Sequence, residues 1–185
     1  MTMAFCGRDK AQQAAAVMRN WVGQTEDSWG RIFLWDMVKP ACNGDAYCAT
    51  GVVAAYMAVG VDLRLLFDNS FAPYDCPNWM NLAVHKGWLT KSMQEGDILL
   101  YGKPASHMGI STPASTNRYL AVEANTVSHS GGPRGVWYAS RPGEHVWGIR
   151  MNEVVDYMYA CGLYDQTDPL PQPDGGGYEE LAGVE

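Results

Sequence analysis

Four residues of this 185-residue chain have the chemical types and the order expected of a nucleophile, a base and groups that orient the base. Cys48 lies at the predicted start of a helix, where unpaired backbone N–H groups and the positive end of the helix dipole stabilise a thiolate. His107 opens a predicted strand, and Glu123 and Asn125 end the next one. These groups are the parts of a cysteine nucleophile that is activated by a histidine.

In such a site His107 takes the thiol proton, and Glu123 or Asn125 fixes the tautomer of the imidazole. Asp45 opposes this activation, because a carboxylate three residues from Cys48 disfavours a second negative charge. For a cysteine taken alone, the more frequent role is that of a small buried hydrophobic residue on an apolar helix face. The hypothesis of a nucleophile therefore depends on whether these residues meet in the fold.

The other residues with ligating or nucleophilic side chains are not expected to form a second site. The cysteine count is five, without a CxxC pair, which argues against a disulfide framework and against a structural zinc site. Three aspartates, Asp62, Asp68 and Asp75, are spaced too widely for a calcium loop, so no required metal and no cofactor are predicted. We interpret the remaining candidates as surface, structural or bystander residues: His85, His129, His145, Cys6, Cys42, Cys76 and Cys161.

Hydrophobic periodicity and turn residues predict the elements that must position the four residues. Helices are predicted over residues 9–22, 46–59 and 77–86, with Asp45 as N-cap of the second and glycines 60 and 87 as stops. Five extended runs follow, at residues 97–101, 107–111, 118–124, 135–139 and 145–150. Helices followed by strands favour an α+β fold, in which the Cys48 helix packs on a mostly antiparallel sheet of about five strands.

Composition limits the classes of function. A single domain is predicted over residues 1–160, followed by a Pro-, Gly- and acid-rich tail over residues 161–185. The formal net charge of −7 offers no basic surface for phosphates, so no nucleic acid is expected as a partner. No apolar run of about 18 residues predicts a membrane span, and no secretory signal is visible. We expect a monomer that is synthesised in the cytoplasm.

Three segments resemble the cysteine, histidine-dependent amidohydrolase/peptidase (CHAP) domain, a member of the NlpC/P60 group found in phage endolysins and bacterial wall hydrolases. They are AYCATGVVAAYMAVG, EGDILLYGKPASHMGI and LAVEANT. The family pattern is a cysteine at a helix start, a Gly-Asp-hydrophobic strand, a His before Gly-Ile or Ala-Ile, and Glu-x-Asn. The matching positions are Cys48, residues 96–98, residues 107–110 and residues 123–125. Weaker similarity extends this over residues 10–150, although Tyr47 stands where many members have Trp.

The resemblance implies a papain-like fold and a peptidoglycan hydrolase that acts at the bacterial cell wall after release. It implies that Cys48 attacks an amide carbonyl and that His107 serves as base and then as acid. Glu123 would orient His107, and Asn125 would share that role or polarise the carbonyl oxygen. The backbone N–H of Cys48 is a candidate oxyanion donor, since first-turn amides lack helical partners.

Several alternatives stay open at this point. The bond cut is either the muramoyl–alanine amide or a bond within the stem or cross-bridge peptide. The protein is either a phage or prophage endolysin or an amidase toxin injected by a secretion machine. A third alternative is a non-catalytic wall-binding or virion module of the same fold. Some relatives bind calcium, although no metal is predicted here.

Overall fold

The protein has an α+β architecture, built from α-helices and one antiparallel sheet. The computed structural model describes residues 7–25, 47–69, 71–112, 119–127, 131–141 and 145–163. The α-helices in these ranges are α1 (Gly7–Asn20), α2 (Cys48–Met57), α3 (Cys76–Lys86) and α4 (Met151–Ala160). The strands are β1 (Leu89–Thr90), β2 (Ile98–Tyr101), β3 (His107–Ser111), β4 (Leu120–Val127), β5 (Arg134–Ser140) and β6 (Val146–Ile149). No described helix is long and apolar enough to cross a membrane.

The six strands form one sheet in the order β1-β6-β2-β3-β4-β5. Strand β2 lies inside it, and its side chains alternate between two apolar clusters. Ile98 and Leu100 belong to the main core, which also contains the buried residues of the helices. Leu99 and Tyr101 belong to a smaller cluster on the opposite face. Strands near the centre of the sheet are therefore covered on both sides, which explains why β2 is buried throughout.

Helix α2, which carries Cys48, packs on β3 and β4. Its residues 48–56 are all buried, as expected of a helix that is apolar all round. Gly51 allows a close approach to the sheet, because a Cβ atom there would lie 2.5 Å from the Cβ of Ala124 in β4. The fixed distance between α2 and β4 sets the position of Cys48 at the helix start.

Gly96 and Asp97 join two helices to the start of β2. Gly96 has a φ of +88°, and a Cβ there would lie 2.3 Å from the backbone of Ala11 in α1, so glycine is required. The buried carboxylate of Asp97 accepts hydrogen bonds from the backbone N–H groups of Gln94, at 2.8 Å, and Met151, at 3.1 Å. Asp97 thereby caps α4 from a distant part of the chain.

The predicted α+β class, the three predicted helices and the five predicted strands are confirmed, with small shifts of their ends. The sheet has six strands because the short β1 pairs with β6. The order of helices before strands was wrong, since α4 follows β6. The predicted N-cap Asp45 and the tail from residue 164 lie outside the described residues.

Candidate active site

Three elements bring the predicted nucleophile, base and orienting carboxylate together. Cys48 is the first residue of α2, His107 is the first residue of β3, and Glu123 lies within the neighbouring strand β4. Cys48 and His107 lie close enough that each shifts the pKa of the other. His107 Nε2 lies 2.8 Å from Glu123 Oε2. The structure thus brings these three residues together, with a hydrogen bond between His107 and Glu123.

Glu123 is fully buried, on the face of the sheet opposite the main core. Its neighbours Val122 and Ala124 lie in the main core, so strand alternation turns Glu123 the other way. Gly109, in β3, leaves space for it, because a Cβ at that position would lie 2.7 Å from Glu123 Cγ. Glycine is therefore needed at position 109 to make room for the side chain of Glu123.

Arg141 also contacts the Glu123 carboxylate, and no motif in the sequence predicts this residue. Its Nη2 donates to Glu123 Oε2 at 2.9 Å and to Thr126 Oγ1 at 3.1 Å, while its Nε lies 3.2 Å from both carboxylate oxygens. Burial raises the pKa of Glu123, but the hydrogen bonds and charges of His107 and Arg141 lower this pKa below its ordinary value. Glu123 therefore stays ionised at neutral pH and fixes the orientation of His107.

The ring of Tyr101 packs against the imidazole. Tyr101 and His107 are register partners on β2 and β3, and their ring centroids are 5.9 Å apart at an interplanar angle of 29°. The guanidinium of Arg141 lies 5.6 Å from the centroid of the same tyrosine ring. Because Tyr101 is fully buried, its ring cannot move far. The stacking and the bond to Glu123 together restrict the orientation of His107.

A second thiol lies beside the candidate nucleophile. Cys76 Sγ is 3.7 Å from Cys48 Sγ, and both residues are buried free cysteines. Cys76 is the first residue of α3, so each sulfur is carried by the first residue of an α-helix. The interpretation that Cys76 belongs to no shared site was wrong. The chain between α2 and α3 returns Cys76 to the start of α2, and local periodicity cannot predict this return.

The surroundings of Cys48 favour a thiolate. The hydrogen bond from Cys76 is the main cause; burial opposes it, and His107 and the Met108 backbone N–H act with Cys76 to lower the pKa of Cys48 to about 4. Burial lowers the pKa of His107, but hydrogen bonds and charge interactions with Cys48 and Glu123 outweigh burial and raise it to about 9. The directions of both shifts favour a thiolate and an imidazolium at neutral pH.

Asn125, the fourth predicted site residue, has a different environment. It lies in an irregularity of β4 between Glu123 and Thr126 and has a φ of +59°, a conformation that asparagine tolerates better than most residues. Its side-chain oxygen accepts a hydrogen bond from Arg134 Nη1 at 3.2 Å. The residue that hydrogen-bonds His107 in the structure is therefore Glu123. A direct role of Asn125 in orienting His107 or in polarising the substrate stays a prediction.

The remaining candidates fall into two groups. Three are exposed on the surface: His85, His145 and Cys161. Four lie outside the described residues: Cys6, Cys42, Asp45 and His129. In the part of the chain that the structure describes, no group of three or more His, Cys, Asp or Glu side chains is placed to hold a metal ion.

No protein-family model, no curated protein and no solved structure matches the chain. A thiolate next to an imidazolium that is held by a buried carboxylate is suited to attack on the carbonyl carbon of an amide or ester. The backbone N–H of Cys48, in the first turn of α2, has no helical partner and can donate to the oxyanion that such an attack produces.

Proposed function

We propose that this protein is a cysteine-dependent hydrolase that cleaves an amide bond in the peptide part of bacterial peptidoglycan. The observation that carries the reaction class is the placement of Cys48 beside His107, whose Nε2 is hydrogen-bonded to Glu123. The resemblance of the segments around these residues to the CHAP domain supports the wall peptide as substrate. A helix with the nucleophile packed on an antiparallel sheet with the histidine also fits the papain-like architecture of the NlpC/P60 group.

In the first half of the reaction the thiolate of Cys48 attacks the amide carbonyl carbon, and a carbon–sulfur bond forms. The negative charge moves to the carbonyl oxygen, where the Cys48 backbone N–H stabilises it. His107, already protonated, gives its proton to the leaving nitrogen as the carbon–nitrogen bond breaks. The products of this half are a free amine and an acyl group on Cys48. In this half the proton therefore moves from His107 to the amine, and His107 does not have to remove a proton from Cys48 before the attack.

In the second half His107 is neutral and accepts a proton from water. The resulting hydroxide attacks the thioester, the thiolate of Cys48 leaves, and a carboxylic acid product is released. Glu123 keeps its charge throughout, because Arg141 and His107 lower its pKa. Since Glu123 engages Nε2, the Nδ1 atom of His107 is the one that serves Cys48 and the substrate.

The complete set of nucleophile, imidazole and buried carboxylate favours catalysis over a non-catalytic wall-binding or virion module. For the biological setting we propose a phage or prophage endolysin, with an injected amidase toxin as the alternative. The same chemistry serves both, so neighbouring genes for a membrane-hole protein or for an immunity protein distinguish them.

The direct test is the release of soluble fragments from purified peptidoglycan by the native protein, by Cys48→Ala and by Cys161→Ala. Loss of the nucleophile is expected to reduce release by about 10³-fold or more. Cys161→Ala is the matched control, because Cys161 is an exposed free cysteine at the C-cap position of α4. Fragment masses identify the bond cut. Equal release by the native protein and by folded Cys48→Ala would reject the proposed function.

A further inference from the structure

The sulfurs of Cys48 and Cys76 lie close enough to react with each other. Their separation of 3.7 Å compares with about 2.05 Å in a disulfide, so small side-chain rotations can close the gap. Both residues are free and buried, and they lie on helices of ten and eleven residues. The proposed hydrolase reaction uses the sulfur of Cys48 and leaves the nearby thiol of Cys76 without a covalent role.

The two thiols have opposite ionisation. Cys48 is the thiolate, which is the form that peroxides oxidise. Cys76 keeps its proton, because its hydrogen bond to the Cys48 thiolate is the main cause that raises its pKa, with burial adding to it. Oxidation of Cys48 to a sulfenic acid removes the negative charge and therefore that cause. Cys76 then loses its proton more readily, at the moment when a neighbouring electrophilic sulfur has formed.

We propose that Cys76 is a resolving cysteine that forms a reversible disulfide with Cys48 after oxidation by a peroxide, and that this disulfide switches off the hydrolase. The switch rests on the proposed function for the activity that it controls. Among the cysteines that the structure describes, Cys161 is exposed and only Cys48 and Cys76 lie close to each other, so this pair is where we place the reversible oxidation.

Two steps complete the chemistry. The Cys48 thiolate attacks one peroxide oxygen, the O–O bond breaks, and with one proton from solvent the products are a sulfenic acid and water or an alcohol. The Cys76 sulfur then attacks the Cys48 sulfur, and the hydroxyl group leaves as water with the proton of Cys76. A dithiol reductant reverses the bond by thiol–disulfide exchange. Cys48 is the favoured leaving thiolate, since His107 and the backbone N–H of Met108 stabilise its negative charge.

The test uses the full-length native protein, Cys76→Ser and the control Cys161→Ser, each treated with hydrogen peroxide at about five molar equivalents of protein, because each oxygen added to a sulfur consumes one peroxide. Serine keeps the size and a hydroxyl donor at position 76 but cannot form the bond. Peptide mass mapping without reductant is expected to show a peptide linking Cys48 to Cys76 in the native protein and in Cys161→Ser. In Cys76→Ser, Cys48 is expected to gain two or three oxygens instead.

Activity gives the second measurement. Dithiothreitol is expected to restore release of wall fragments by the oxidised native protein and not by oxidised Cys76→Ser. Oxygen additions to native Cys48 without a linked peptide, or a link from Cys48 to another cysteine, would overturn the proposal. The linked peptide can be seen whether or not walls are cleaved. A chain that forms it but cleaves no wall would contradict the proposed hydrolase and with it the switch, while a cleaving chain without it would contradict the switch alone.

Discussion

At the scale of single residues, the ionisation of Cys48 and His107 is the property on which the chemistry depends. Neither side chain is ionised in this way on its own: the thiolate needs donors from Cys76 and His107, and the imidazolium needs Cys48 and Glu123 as acceptors. The ion pair is therefore a product of the assembled site. The lowered pKa of Cys48 sets the lower pH limit of the ion pair, and the raised pKa of His107 sets its upper pH limit.

The first prediction concerns pH. Because the pKa of Cys48 is lowered to about 4, the rate of its alkylation by iodoacetamide should remain high well below the value of about 8.5 that is ordinary for a free cysteine. Because the pKa of His107 is raised to about 9, hydrolysis should fall as pH rises through that value, since the leaving amine then lacks a proton donor. Alkylation kinetics followed by peptide mass mapping, with free cysteine as reference, measure the acid limit. A Cys48 that titrates like free cysteine would contradict the ion pair.

The second prediction tests whether Glu123 or Asn125 orients His107. Glu123→Gln removes the negative charge that orients His107 and that Arg141 contacts, so kcat should fall by about 10²–10⁴-fold. Asn125→Gly keeps the positive φ without strain and removes only the contact with Arg134, so most of the activity should remain. Initial rates on a soluble wall peptide measure both. A larger loss for Asn125→Gly than for Glu123→Gln would show that the orienting role is assigned to the wrong residue.

At the scale of elements, the site depends on how α2 sits on the sheet. The contact between Gly51 and Ala124 sets this distance, and Ala124 is next to Glu123 in β4. A change at this contact therefore moves the helix that carries the nucleophile relative to the strand that carries the carboxylate.

The third prediction tests this contact by moving one methyl group. Gly51→Ala places a Cβ 2.5 Å from the Cβ of Ala124, and the overpacking should cost about 1–3 kcal/mol of unfolding free energy together with much of the activity. The double variant Gly51→Ala/Ala124→Gly returns the volume and should recover part of both losses. Urea unfolding and wall-fragment release measure them. Losses that simply add in the double variant would contradict the role of this contact.

Some elements could be predicted from the sequence and others could not. Helices α1 to α3 and strands β2 to β6 were predicted because their periodicity and turn residues are local. Helix α4 was missed although Met151, Val154, Val155 and Met158 have helical spacing and are buried. Its N-cap position is Arg150, which makes no side-chain capping bond, and the capping acceptor is Asp97, 54 residues before Met151. A helix capped from such a distance has no local start signal.

At the scale of the whole molecule, the residues of the site also divide into those that the sequence could predict and those that it could not. Cys48, His107 and Glu123 could be predicted because each begins or belongs to an element with a recognisable pattern. Cys76 and Arg141 could not, since only the return of the chain to the start of α2 and to the face of β4 brings them in. Both act on the charges of the predicted residues. The sequence thus predicts which groups react, and the fold determines their ionisation.

The most direct test of the central claim, that the sulfur of Cys48 performs the hydrolysis, is a titration of the native protein with iodoacetamide. Peptide mass mapping gives the fraction of Cys48 that is alkylated in each sample, and release of fragments from purified peptidoglycan gives the activity of the same sample. The Cys161→Ser variant, treated in parallel, excludes an effect of alkylation at that exposed thiol. We predict that activity falls in proportion to Cys48 alkylation and reaches zero when Cys48 is fully alkylated. Undiminished wall cleavage by protein whose Cys48 is fully alkylated would contradict the account.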